Sequence, residues 1–155
     1  MSSATPRSVV HASFTITRHW KAAPARVFQA FADQAAKDAW FARAPNLTRT
    51  RREFDFREGG REISEGRWDS GVITLFDCHY HDIVPDARII YSYAMYLDGR
   101  KISVSQACIE LVPEGTGTKF ILTEYGDYLD GYEDKGSREH GTNALMDQLA
   151  ASIGG

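Results

Sequence analysis

Glu124 stands at the end of an apolar row. It shares a strand parity with Phe120 and Leu122 in the stretch Thr118 to Tyr125, so burying that row would put a carboxyl group in apolar surroundings. Burial penalises the charged form and raises the pKa, which prepares such a group to act as acid, base or ligand anchor. The plainer reading, a strand-end glutamate that is solvated or paired with an arginine, is preferred. Arg57 is then the natural partner, because a buried carboxylate needs a countercharge or donors. Glu124 is a weak catalytic candidate on these grounds.

His79 and His81 lie two residues apart, with Asp77 on the same parity. A His-x-His pair holds a metal only where further ligands converge and other groups orient the rings. The opposite parity carries Phe76, Cys78 and Tyr80 and reads as the buried side, so the histidines fall on the wet face and no metal is expected. His11 and His19 have no partner at a catalytic spacing, and His140 opens the terminal helix, where a cap or loop contact is its expected role. Cys78 and Cys108 sit in apolar runs and read as small buried hydrophobes, not as a disulfide framework or activated thiolates.

No nucleophile elbow, phosphate loop or dinucleotide fingerprint is present. Gly115-Thr116-Gly117 joins two strands and opens no helix. The acidic stretch Glu124 to Asp134 lacks calcium-loop spacing and reads as a solvated connection with exposed tyrosines Tyr125, Tyr128 and Tyr132, usable as a lid or a dimer contact. No cofactor is expected.

These residues must be held by elements that the patterning predicts. Val9 to Arg18 alternates with the period of a half-buried strand. Pro24 suits a first helical residue, and Val27, Phe28 and Phe31 follow at helical spacing. A second short helix begins near Gln34 and closes on Trp40 and Phe41. Strands are then predicted over Arg51–Arg57, Arg61–Trp68, Val72–Val84, Arg88–Leu97, Lys101–Val112 and Thr118–Tyr125, with Asp98-Gly99 the sharpest hairpin signal. After a polar loop over Gly126–Gly136 comes a helix over Ser137–Ile153, with Leu145, Met146, Leu149 and Ile153 on one stripe and Gly154-Gly155 ending it. An antiparallel sheet needs a cover on one face, and this helix is the candidate.

Composition bounds what such a domain can do. The 155 residues are 43% hydrophobic and 25% charged, with 18 basic against 21 acidic residues and a formal charge of −3. Disorder and charge-driven nucleic-acid binding are both disfavoured. The start, Met1 to Val10, carries no apolar run of a secretory signal, and no stretch approaches the ~20 apolar residues of a membrane span. One domain over 1–155 is expected, with 1–7 a flexible tail, in the cytoplasm.

Taken in order, the segments resemble a known family. Ala23-Pro24-Ala25-Arg26-Val27-Phe28, Ala32-Asp33, Trp40-Phe41 and Asp55-Phe56-Arg57-Glu58-Gly59-Gly60 lead into Tyr80-His81-Asp82-Ile83-Val84-Pro85 and Arg88-Ile89-Ile90-Tyr91. Gly117-Thr118-Lys119-Phe120-Ile121-Leu122-Thr123-Glu124 and His140-Gly141 complete the series. The chain is similar to the START-like (SRPBCC), helix-grip superfamily, and within it to proteins resembling the C-terminal domain of the heat shock protein 90 ATPase activator. It departs at Thr142, where relatives usually carry tryptophan, and at Glu124, where many carry histidine.

The resemblance implies an α+β fold: a curved antiparallel sheet of six or seven strands, two short helices, and a long C-terminal helix across the concave face. It also tips an even balance between a solid aromatic core and an internal cavity towards the cavity. The expected lining is Trp40, Phe56, Trp68, Phe76, Tyr80, Tyr93, Phe120, Leu122, Glu124, Leu145, Met146 and Leu149. Binding of a small hydrophobic or aromatic molecule, flat or acyl-like and carrying little charge, is the first expectation. A cofactor-free cyclase or hydrolase using Glu124 as acid or base is the second, and a chaperone-associated protein-binding domain the third. The expected state is a monomer or weak homodimer.

Overall fold

The computed structural model describes residues 6–154. Of the expected tail over 1–7, residues 1–5 lie outside the described residues, as does Gly155, while Arg7 Nε reaches Asp130 Oδ1 at 3.1 Å.

Strand β1 (Val9–Trp20) is followed by helices α1 (Pro24–Ala32) and α2 (Gln34–Asp38). Six further strands come next: β2 (Leu47–Phe54), β3 (Arg61–Trp68), β4 (Ile73–Val84), β5 (Arg88–Leu97), β6 (Arg100–Glu114) and β7 (Gly117–Leu129). Helix α3 (Ser137–Ile153) closes the chain. The strands form one antiparallel sheet of seven in the order β1-β7-β6-β5-β4-β3-β2. Each hairpin therefore neighbours the next, and the one long-range closure brings β1 against β7.

Local chemistry sets the corners. Pro24 opens α1 with its fixed φ and absent donor. Asp33 ends α1, and its carboxylate accepts from Ala36 N at 2.9 Å to begin α2. Asp98 and Gly99 adopt φ values of 50° and 79°, the doubly left-handed turn that matches strand twist between β5 and β6. Asp134 Oδ1 accepts from Arg138 N at 2.9 Å and Ser137 Oγ at 3.0 Å, capping α3 and fixing Arg138 in its first turn.

Three boundaries differ from the sequence expectation. β2 lies at Leu47–Phe54 instead of Arg51–Arg57, because Gly60 packs against the backbone at Asp55, where a β-carbon would overlap the Asp55 carbonyl oxygen. α2 stops at Asp38, leaving Trp40 and Phe41 in the following turn. β7 runs on to Leu129, since β1 pairs with it as far as Val9–Leu129 and β6 as far as Ser103–Tyr128. The loop is correspondingly short, and Tyr128 is buried in the sheet while Tyr125 is exposed.

α1 buries Val27, Phe28, Ala30 and Phe31 against β6 and β7. Phe120 sits there between Trp20 (ring centroids 4.6 Å) and Phe31 (6.1 Å). Trp40 stacks edge-on to Phe31 at 5.1 Å and donates its indole N–H to Ala30 O at 3.0 Å, which satisfies the one polar atom of the ring. α3 crosses the concave face, tied to β1 through Arg18, whose guanidinium reaches Asp147 and Asn143 at 2.8 and 3.0 Å.

Candidate functional site

Between α3, the α2 turn and the concave sheet lies a cavity of about 450 Å³. Its floor comes from β3 to β5 and β7, and its roof from the first half of α3. Eight of the twelve expected residues line it: Trp40, Trp68, Phe76, Tyr93, Leu122, Glu124, Leu145 and Met146. Four do not. Phe120 and Leu149 are fully buried in the core beside α1. Phe56 wedges between Phe28 and Tyr80 at 5.7 and 4.9 Å, and the Tyr80 hydroxyl is consumed by Glu62. Each of these is close-packed by neighbours, so it supports the wall from behind.

The parity expected for β4 is the one observed. Cys78 and Tyr80 are buried, while His79 is about half exposed and His81 hydrogen-bonds Ser92 Oγ at 2.7 Å on the outer face. Asp77 is gripped by Arg61 through two contacts of 3.0 Å. Among the described residues no group of three or more His, Cys, Asp or Glu is placed to hold a metal ion. His11 pairs with Asp127 and His19 with Glu114, both at the surface.

Glu124 is not a solvated strand end. It is only 3% exposed, and burial pushes its pKa up to about 7 against the opposing pull of the Tyr93 hydrogen bond and the Arg138 charge. Tyr93 Oη donates to Glu124 Oε2 at 2.8 Å. Arg138 does not touch the carboxyl; it donates to Tyr93 Oη at 3.1 Å, Ser105 Oγ at 3.3 Å and Ser103 Oγ at 2.8 Å. The expected partner Arg57 is elsewhere, exposed and paired with Asp55 at 2.8 Å, because the loop carrying it leaves the sheet after Phe54. Arg138 takes that place because the Asp134 cap directs it into the bowl.

The other end of the cavity is charged too, with Lys37, Arg43, Arg49 and Glu65 in its lining. Glu62, fully buried, accepts from Lys37 Nζ at 2.6 Å, from Arg52 at 2.7 Å and from Tyr80 Oη. Burial alone would raise the Glu62 pKa, but Lys37, Tyr80 and Arg52 outweigh it and hold the carboxyl below its usual range. Arg52 also reaches Asp38 at 3.0 Å, and Arg49 lies 3.4 Å from the same carboxylate. Lys37 lines the cavity with its ammonium 4.6 Å from the Phe41 ring centre. These residues were not among the expected site residues, and neither were the lining residues Tyr91, Met95 and Phe41. A lysine in a five-residue helix and a glutamate in a strand with charged neighbours both look solvated until register is known.

A family model described as Activator of Hsp90 ATPase homolog 1-like protein matches residues 21–154. Among solved structures, an uncharacterised protein from Rhizobium leguminosarum is 42% identical over 96% of this chain and 98% of its own, with a TM-score of 0.92. A protein from Rhizobium loti is 40% identical over 94% and 99%, with a TM-score of 0.87. One from Chromobacterium violaceum is 26% identical over 91% and 96%, with a TM-score of 0.75. No match is found among curated proteins. Among the described residues no helix is long and apolar enough to cross a membrane.

Proposed function

We propose, since the chain belongs to the Activator of Hsp90 ATPase homolog 1-like family, that it binds a small hydrophobic or aromatic molecule in its internal cavity. The observation that carries this reading is the cavity itself. Its volume of about 450 Å³ lies in the ordinary range of ligand sites, and its walls are aromatic and aliphatic with a few convergent polar groups. Free thiols at Cys78 and Cys108 suit the reducing cytoplasm, and a monomer or weak homodimer suffices because one chain contributes every wall.

A thermal-shift screen of apolar and aromatic compounds tests it. A ligand present at a hundredfold excess over its Kd should raise the melting point by about 5–10 °C. Gly141 supplies the control, because it lines the cavity within α3 and a β-carbon there meets no atom within 4 Å. Gly141→Phe should keep or raise stability, phenylalanine being the better helix residue, and should weaken every hit at least tenfold by filling the space. Absence of any shift would turn the reading towards the chaperone-associated protein-binding domain.

A second reading, proton transfer by Glu124, is favoured by its pKa near 7 inside an apolar wall. It predicts that a bound ketone with an acidic C–H exchanges deuterium from D₂O, followed by NMR, and that Glu124→Gln abolishes the exchange. Equal exchange in both proteins would remove this reading.

A further inference from the structure

Resting on the reading of the cavity as a ligand site, we infer that it selects flat two-ring aromatic molecules that are polar at both ends, with a hydroxyl against Glu124 and a carbonyl or carboxylate against Lys37.

Unused hydrogen-bonding capacity marks the two ends. At one, Glu124 is almost wholly buried, Tyr93 occupies Oε2, and Oε1 has no partner in the protein. Oε1 is also not among the sealed, unpartnered polar atoms, so it opens on the cavity that Glu124 lines. Arg138 spends its bonds on Tyr93, Ser103 and Ser105 and leaves that oxygen free. A ligand hydroxyl, both donor and acceptor, satisfies the carboxyl in either protonation state.

At the other end, the Lys37 ammonium has three protons and two partners, Glu62 Oε1 at 2.6 Å and Tyr80 Oη at 3.4 Å. Its remaining surroundings are the rings of Phe41 at 4.6 Å and of Phe54 and Phe76 at 5.9 Å, of which Phe41 and Phe76 line the cavity. Three cations, Lys37, Arg49 and Arg52, there face the two carboxylates Glu62 and Asp38. Glu65 and Arg43 also line the cavity and offset each other in charge, with Glu65 Oε1 accepting from Thr50 Oγ1 at 2.8 Å. The third Lys37 proton is the donor that a ligand in the cavity can reach, and the excess of cations leaves this end positive, so it favours a ligand that brings an acceptor or a negative charge.

Rings separate the two anchors. Phe41 lies 5.1 Å from Phe76, and Phe76 lies 5.0 Å from Tyr93, whose hydroxyl holds Glu124. Two successive ring contacts span the length of a biaryl and offer faces and edges for a flat ligand.

The test is titration of the unsubstituted protein with biphenyl, 4-hydroxybiphenyl, biphenyl-4-carboxylate and 4′-hydroxybiphenyl-4-carboxylate, followed by calorimetry and tryptophan fluorescence. Each polar end should tighten binding about tenfold, and both together about a hundredfold. Lys37→Met should erase the gain from the carboxylate and keep that from the hydroxyl, while Glu124→Leu should do the reverse. Equal affinity for all four probes would overturn the inference and leave the cavity-binding reading standing. Failure of every probe to bind would overturn both. The wild-type series needs no variant, so a destabilised Lys37→Met protein does not shelter the inference from refutation.

Discussion

Replacing Glu62 by glutamine is expected to destabilise the folded protein by about 3–5 kcal/mol at pH 7. The carboxylate is fully buried and is the shared acceptor for Lys37, Arg52 and Tyr80. Glutamine keeps the shape but withdraws the countercharge, leaving the Lys37 ammonium, 7% exposed, with no carboxylate partner and the Arg52 guanidinium, 9% exposed, with only Asp38, which Arg49 shares. Total stabilities of such domains are roughly 5–15 kcal/mol, so the variant should unfold at a far lower urea midpoint with little change in slope. Adding Lys37→Met removes one of the stranded charges, and the double variant should lose less than the two single losses combined. The pH dependence has a definite sign. A carboxyl whose folded pKa lies below its ordinary value of 4.5 stabilises the fold above that pH, and the contribution is lost as pH falls through the folded pKa. Loss of less than about 1 kcal/mol in Glu62→Gln, the range of exposed ion pairs, would mean the cluster is effectively solvated.

The same cluster explains what the sequence could and could not disclose. Hairpin signals such as Asp98-Gly99, the Pro24 helix start and the Leu145-Met146-Leu149-Ile153 stripe are local, and local chemistry decides them. The strand set, the antiparallel order and the terminal helix were therefore legible, together with the buried parity of β4. Glu62 was not, because β3 has no clean alternation: Ile63 stands on one parity and Trp68 on the other, with charged residues on both, so parity gives no reason to bury a glutamate there. Its burial depends on Lys37 and Arg52 arriving from α2 and β2, a non-local coincidence of three polar residues. The misplaced partner of Glu124 has the same origin. Arg57 is attractive in sequence, but Arg138 wins because the Asp134 cap fixes its backbone at the head of a helix lying over the bowl. Extension of β7 to Leu129 likewise rests on pairing with β1 and β6, which no reading of Gly126 to Leu129 alone supplies.

Glu124 should produce the opposite pH dependence. Its folded pKa of about 7 stands above the unfolded value near 4.5, so between these pH values the folded state binds the extra proton. Stability falls with rising pH wherever the folded state is the one holding more protons. The Glu124 contribution is therefore fully retained below about pH 4.5, declines through the window, and levels off above pH 7, with a total of roughly 3 kcal/mol at 1.36 kcal/mol per pKa unit. The groups that bear on it are Tyr93 by direct hydrogen bond, Arg138 through the Tyr93 hydroxyl, and the negative charge of Asp134, which adds to the burial effect. Glu124→Gln accepts the Tyr93 hydrogen bond without ever charging, so its stability should not carry this decline. The informative quantity is the difference in unfolding free energy between wild type and Glu124→Gln, measured by urea titration from pH 4.5 to 8.5, because titration of the other groups is common to both. The difference should grow in favour of the glutamine variant and flatten near pH 8. Parallel curves would show that the carboxyl ionises as freely in the cavity as in water, and Glu124 would lose its standing both as a proton donor and as the dry end of a ligand clamp.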